Sequence, residues 1–163
     1  MVGVGDLVWF LETIYIYLPA YIANSTPVIL TGWGSLDGDT KFIDGEPILG
    51  NHKTVRGTLS GIIAGTLTGI LQGQPYRGAL MAIGAILGDL IVSFIKRRLK
   101  LPPGAMFPIA DQMSFIVLAV IFDMLIVSVL QWDRILVILL VTLPIHYFAN
   151  VIAWMLKLKS KPW

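Results

Sequence analysis

From Arg77 to Ile95 the chain reads RGALMAIGAILGDLIVSFI, and it continues into Lys96-Arg97-Arg98. About 20 predominantly apolar residues cross a typical hydrocarbon core. After Arg77, one ionisable group, Asp89, interrupts this run before its basic end. Four other stretches have a similar character: about Gly5–Leu30, a shorter one at about Arg56–Gln72, about Gln112–Leu130 and about Ile135–Leu156. The chain has 163 residues, of which 56% are hydrophobic and 13% charged, and its mean hydropathy is +0.78. A soluble domain is nearer a quarter charged, so most of this apolar surface must face lipid or other embedded helices. The expectation is an all-α integral membrane protein with about five transmembrane helices, built as a single domain over 1–163. A polar loop at about 31–56 and a short connection at about 96–111 would lie on one side. The first stretch carries Asp6 and Glu12 and lacks a basic leader and a small-residue cleavage site, so it reads as a retained helix.

Basic residues set the expected orientation. Lys41, Lys53, Arg56, Lys96, Arg97, Arg98, Lys100, Lys157, Lys159 and Lys161 all fall on one side of a five-span chain, and only Arg77 and Arg134 fall on the other. Lysine and arginine favour the cytoplasmic side. The N-terminus is therefore expected outside and the C-terminus in the cytoplasm. The absence of cysteine rules out disulfides, thiol catalysis and thiolate metal centres. Neither a Walker loop nor a dinucleotide fingerprint occurs, and nothing points to nucleic acid.

Gly57, Gly61, Gly65, Gly69 and Gly73 recur at every fourth position. Four residues turn a helix by about 400°, so they form one slowly winding smooth ridge suited to close helix packing in lipid. The ridge suggests that the second helix sits centrally in the bundle. Gly84 and Gly88 repeat the device in the third.

The chemistry concentrates near the basic side. A carboxylate at membrane depth is costly and tends to face a partner or a wet cavity. Asp89, Ser93, Lys96 and Arg97 fall at i, i+4, i+7 and i+8, hence on one helical face. An acid, a hydroxyl and two cations there suit a metal-bound polyphosphate, although Lys96–Lys100 also reads as a snorkelling anchor with Asp89 as a salt-bridge partner. Asp111 opens the fourth stretch on the same side, where it would serve equally as a helix N-cap. Lys53 and Arg56 flank the start of the second helix, whose free N–H groups favour phosphate; ordinary positive-side anchoring is the other reading. Asn24 near the end of the first span, and His146 and Asn150 four apart on the fifth, are polar groups in apolar helices that also suit interhelical bonding. Glu12 reads as structural and His52 as a loop histidine. Asp37, Asp39, Asp44 and Glu46 read as solvated, with Asp44 singled out by the tight turn Ile43-Asp44-Gly45.

In order, the chain presents Asn24-Ser25-Thr26-Pro27, then Phe42-Ile43-Asp44-Gly45, then Leu49-Gly50-Asn51-His52-Lys53-Thr54-Val55-Arg56-Gly57. Gly88-Asp89-Leu90 through Ser93-Phe94-Ile95-Lys96-Arg97-Arg98 follows, then Pro108 with Asp111-Gln112, His146, Asn150 and the terminal Pro162-Trp163. This series resembles the archaeal CDP-archaeol synthase family over nearly the whole chain. Asn51-His52 departs from the acidic or small pair expected there. The third-stretch element is also similar to the signature region of bacterial CDP-diacylglycerol synthases. The resemblance implies a multi-pass enzyme of the cell membrane with its site on the cytoplasmic side. That enzyme is a Mg²⁺-dependent cytidylyltransferase acting on CTP and an isoprenoid ether-lipid phosphate to give CDP-archaeol and pyrophosphate. Asp89, Asp111 and Lys96 would be catalytic, with the two acids on the metal. Asn24, Asp44, Lys53, Thr54, Arg56, Ser93, Arg97, Gln112 and Asn150 would bind substrate. The competing class is a small transporter or channel with Asp89 and His146 as an intramembrane relay. Alcohol phosphotransfer from a CDP-lipid would need a D-G-x-x-A-R motif, which is absent.

Overall fold

A computed structural model of the chain describes residues 3–102, 104–127 and 131–161. It holds five helices in these residues: α1 (Val4–Ile29), α2 (Val55–Leu71), α3 (Pro75–Arg98), α4 (Ala110–Asp123) and α5 (Trp132–Met155). Local sequence fixes several ends. The Asp6 carboxylate accepts from Gly3 N at 2.8 Å at the start of α1. Thr54 caps α2 by accepting from Gly57 N at 3.1 Å, and α3 opens on Pro75, whose missing N–H costs nothing in a first turn. By length and composition α3 and α5 are long and apolar enough to cross a membrane, and α2 is a shorter apolar helix.

The glycine ridge of α2 meets two neighbours. A Cβ on Gly61 would stand 2.6 Å from the Ala23 carbonyl oxygen of α1 and 2.7 Å from Ile86 Cδ1 of α3. At Gly65 it would stand 2.6 Å from Ala82 Cβ, and at Gly69 2.5 Å from Gly78 Cα. The ridge therefore seats α2 in the cleft between α1 and α3. It does not make α2 central: α2 packs against those two helices alone, whereas α1 touches all four others. Leu59, Ile63, Leu67 and Leu71 on the outer side of α2 are exposed. The expectation of a central α2 fails because a smooth face reports close approach on that face and nothing about the opposite one. Gly84 does the same work between α3 and α4, where a Cβ would fall 2.6 Å from Leu118 O. The core runs through Met81, Ala85, Phe115, Ile116, Ala119 and Ile138.

The fourth helix is shorter than the apolar run that announced it. It ends at Asp123, and Met124–Ile126 form a turn. The expected end at Leu130 lies outside the described residues, as do Pro103 and the terminal Pro162-Trp163. Asp123 stops the helix where it meets Arg77, which grips both carboxylate oxygens at 2.6 and 2.8 Å. Arg134 pairs with Glu12 at 3.2 Å.

Candidate functional site

The opposite end of the bundle gathers most of the candidate residues. Gly88 lies against Ser114 and Phe115 of α4, which brings Asp89 of α3 and Asp111 of α4 to the same end of two adjacent helices. Each acid already holds a lysine. Lys53 Nζ donates to Asp89 Oδ2 at 2.5 Å, and Lys96 Nζ donates to Asp111 at 2.9 and 3.1 Å. The Lys53 and Asp89 side chains are 24% and 36% exposed, so water or a ligand reaches them.

The backbone before α4 aims Asp111. Ile109 has φ 65° and ψ −52°, and Ala110 N donates to Pro108 O at 2.7 Å. This is the positive-φ γ-turn, a strained form, and Ile is β-branched there. Asp111 then reaches back to accept from Phe107 N at 2.8 Å. It does not cap the helix as residue N-cap, because the cap position is Ile109 and Asp111 belongs to the first turn.

The polar loop is folded over this end. Asp37, read as solvated, is its organising residue: Oδ2 accepts from Leu49 N at 2.7 Å and Gly50 N at 3.0 Å. Partial burial opposes ionisation of Asp37, but those N–H groups, the Ser35 hydroxyl and Asp39 N–H outweigh it and hold the carboxyl below the ordinary aspartate value. Arg98 ties the loop to α3. It donates to Glu46 O at 3.3 Å and to Pro47 O at 2.5 Å, and lies over the Phe42 and Phe94 rings at 4.7 and 4.8 Å. Its Nε stands 3.1 Å from Asp44 Oδ2, an ion pair off the line of a hydrogen bond. Asp44 is thus engaged by Arg98, and Asp44 Oδ1 accepts from Glu46 N at 3.1 Å.

The remaining candidates divide by what they touch. Thr54 is occupied as the α2 cap and also accepts from Gly32 N at 3.2 Å. Ser93 donates back to Asp89 O at 2.9 Å. Arg56 is exposed and lies 5.8 Å from the Trp33 ring. Arg97 Nε is buried with no hydrogen-bond partner among the described residues, and a buried N–H left so asks for an acceptor from elsewhere. Asn24 and Gln112 are half-buried on α1 and α4. Asn150 accepts from Lys159 Nζ at 2.8 Å and touches His146 Nδ1 at 3.0 Å. His52 is exposed in the loop.

Arg98 and Lys159 were missed as individual residues. Arg98 was visible as the last residue of the basic run, but its loop partners are about fifty positions distant. Lys159 sits in a tail without periodicity and gave no signal of its own.

Among the described residues no group of three or more acidic, histidine or cysteine side chains would cage an ion. Two carboxylates facing a cationic cluster match a metal that arrives with phosphate oxygens, since Mg²⁺ commonly takes one or two carboxylates and fills its shell from substrate and water.

Several known proteins are similar to this chain. A family model described as CarS-like, CDP-archaeol synthase, matches residues 5–77 and 75–163. The CDP-archaeol synthase of Pyrococcus furiosus is 43% identical, covering 94% of this chain and 98% of the relative. That of Thermococcus gammatolerans is 39% identical over 100% of both chains, and that of Methanopyrus kandleri 36% identical over 100% of both. A solved structure of an intramembrane enzyme for archaeal membrane lipids biosynthesis superposes with a TM-score of 0.77 at 32% identity, covering 87% of this chain and 94% of that one.

Proposed function

Because this chain belongs to the CDP-archaeol synthase family, we propose that it transfers CMP from CTP to an isoprenoid ether-lipid phosphate embedded in the membrane, giving CDP-archaeol and pyrophosphate. The observation that carries the reading is the convergence of two lysine–aspartate pairs, Lys53–Asp89 and Lys96–Asp111, beneath a loop pinned to α3.

A lipid phosphate oxygen attacks the α-phosphorus of CTP, the bond from that phosphorus to the β-phosphate oxygen breaks, and pyrophosphate leaves. The attacking oxygen is ionised at neutral pH, so no protein nucleophile is needed. Catalysis is positioning and charge neutralisation. Lys53 and Lys96 each rest on a carboxylate and exchange it for a phosphate oxygen as substrate arrives. Arg97, with its orphaned Nε, and the exposed Arg56 complete the cationic wall. Asn24 and Gln112 offer amides to the nucleotide, Asn150 is held between Lys159 and His146, and Thr54, Ser93 and Asp44 hold the helix start, the α3 face and the loop in place. Asp89 and Asp111 would hold Mg²⁺, which supplies neutralisation of the triphosphate.

The same reading places five spans in an archaeal cell membrane, with the N-terminus outside and the site at the cytoplasmic face. It is supported by gathering of the basic residues at the site end. A relay of Asp89 and His146 through a transporter finds no support: Asp89 is bonded to Lys53 and His146 to Asn150.

Purified protein with Mg²⁺, CTP and an ether-lipid phosphate is expected to release pyrophosphate, with ATP, GTP and UTP as controls. Asp89→Asn and Asp111→Asn are expected to lose at least about 100-fold in rate while keeping the helical content of the parent. Full activity in either variant removes that acid from the reaction.

A further inference from the structure

The tail beyond α5 folds back to the site. Lys159 is half-buried, and its Nζ donates to Asn150 Oδ1 at 2.8 Å. An ammonium carries no acceptor, so it must face the amide oxygen. Asn150 then presents Nδ2 to His146 Nδ1 at 3.0 Å. An amide N–H only donates, so Nδ1 must accept, and the proton of the neutral ring is assigned to Nε2. The ring is itself fixed, stacked on Phe115 with centroids 5.8 Å apart and planes 30° from parallel. Phe115 stands one helical turn from Asp111 on the same face of α4. Nε2 has no hydrogen-bond partner among the described residues.

Lys159 is also in electrical contact with both lysine–aspartate pairs. Burial pulls its ammonium below the ordinary lysine range; the Asp111 and Asp89 carboxylates oppose that shift, and the Lys53 and Lys96 charges add to it. A basic residue only four positions beyond α5 therefore feels the charges of residues from α3, α4 and the loop.

We propose that Lys159 is a positioning residue of the site: by orienting Asn150 it holds His146 as a neutral ring whose Nε2–H donates to a phosphate oxygen of the bound substrates. This rests on the cytidylyl-transfer reading above. The phosphate belongs either to CTP or to the lipid, and kinetics with each varied separately tell which.

The chain has two histidines, so a His52→Gln background leaves one ring to observe. In protein labelled with ¹⁵N-histidine and held in detergent micelles, the expected signature is a pyridine-like Nδ1 and a pyrrole-like Nε2. Lys159→Met is expected to release Asn150 and give a mixture of tautomers. It should also lower kcat/KM by roughly tenfold or more, the size of one lost hydrogen bond to a charged group. The KM that rises identifies the phosphate. Lys159→Arg, which keeps a cationic donor, is expected to retain both the signature and most of the activity.

A wild-type ring protonated on Nδ1 overturns the proposal. So does Lys159→Met with an unchanged ring, whatever its kinetics, and so does a changed ring with unchanged kinetics. Wild-type protein that releases no pyrophosphate from CTP overturns the reaction itself, and the ring spectra then decide the tautomer separately.

Discussion

At the scale of single residues, the ion pairs at the two ends of the bundle differ in what surrounds them. Asp123 is 5% exposed and bound by both nitrogens of one guanidinium face. Lys53 and Asp89 are open to solvent by about a quarter and a third. An exposed pair contributes about 0–1 kcal/mol, whereas breaking a buried one costs about 3–5 kcal/mol because a charge is left stranded. Lys53→Met is therefore expected to leave stability within about 1 kcal/mol of the parent and to lower kcat/KM by roughly 100-fold. Arg77→Met is expected to do the reverse, losing about 3 kcal/mol with milder kinetic loss in the fraction that stays folded. Thermal unfolding in detergent beside pyrophosphate release separates the two, and a collapse in stability for Lys53→Met assigns that pair to structure. Asp37 supports a different test. Its folded pKa lies below the ordinary value, so its contribution to loop stability is fully present above roughly pH 4 and is lost as pH falls through the folded value. Limited proteolysis at neutral pH should then cut the 31–54 loop of Asp37→Asn quickly and the parent slowly, and the two rates should converge only in acid. Equal rates at neutral pH refute the role.

Among the elements, the close approach of α3 and α4 sets the distance between the two acids. A methyl on Gly84 would fall 2.6 Å from Leu118 O and 2.9 Å from Ala119 Cα, both backbone atoms that cannot swing aside. Gly84→Ala is expected to destabilise the bundle by about 1–3 kcal/mol and to lower activity by displacing Asp89 from Asp111. Gly5→Ala, whose added Cβ meets nothing within 4 Å, is the control and should be neutral or slightly stabilising. Unchanged unfolding and activity in Gly84→Ala refute the packing account. The helices themselves were legible in sequence because hydropathy and breakers are local. So was the grouping of Asp89, Ser93, Lys96 and Arg97 on one face, since helical spacing alone decides it. What depended on distant partners was not legible. The end of α4 hangs on Arg77, the order of the loop on Asp37 and Arg98, and the return of the tail on Asn150. The rim position of α2 escaped for a related reason: lipid-facing and protein-facing apolar residues look alike in sequence.

Across the whole molecule, the question is how five helices of unequal length lie in a bilayer about 30 Å thick. At 1.5 Å per residue α3 and α5 reach about 36 Å, α2 about 26 Å and α4 about 21 Å, so the last two span only if the bilayer thins or the flanking turns complete the crossing. Charge is arranged to fit crossing all the same. Lys53, Lys96, Arg97 and Arg98 collect at the end bearing the polar loop, and Arg77 and Arg134 at the other. An excess of lysine and arginine favours the cytoplasmic side whatever acids accompany it, so the loop end is expected in the cytoplasm. Because the chain has no cysteine, single substitutions report their own location. Ile43 in the loop is 94% exposed, and Tyr76, in the first turn of α3, is 82% exposed. A membrane-impermeant maleimide is expected to label Ile43→Cys in inverted vesicles and not in intact cells, and Tyr76→Cys in intact cells and not in inverted vesicles. Labelling of both from one side would show that α2 does not cross. The opposite pattern would put the site outside, away from cytoplasmic CTP, and the proposed reaction would lose its nucleotide.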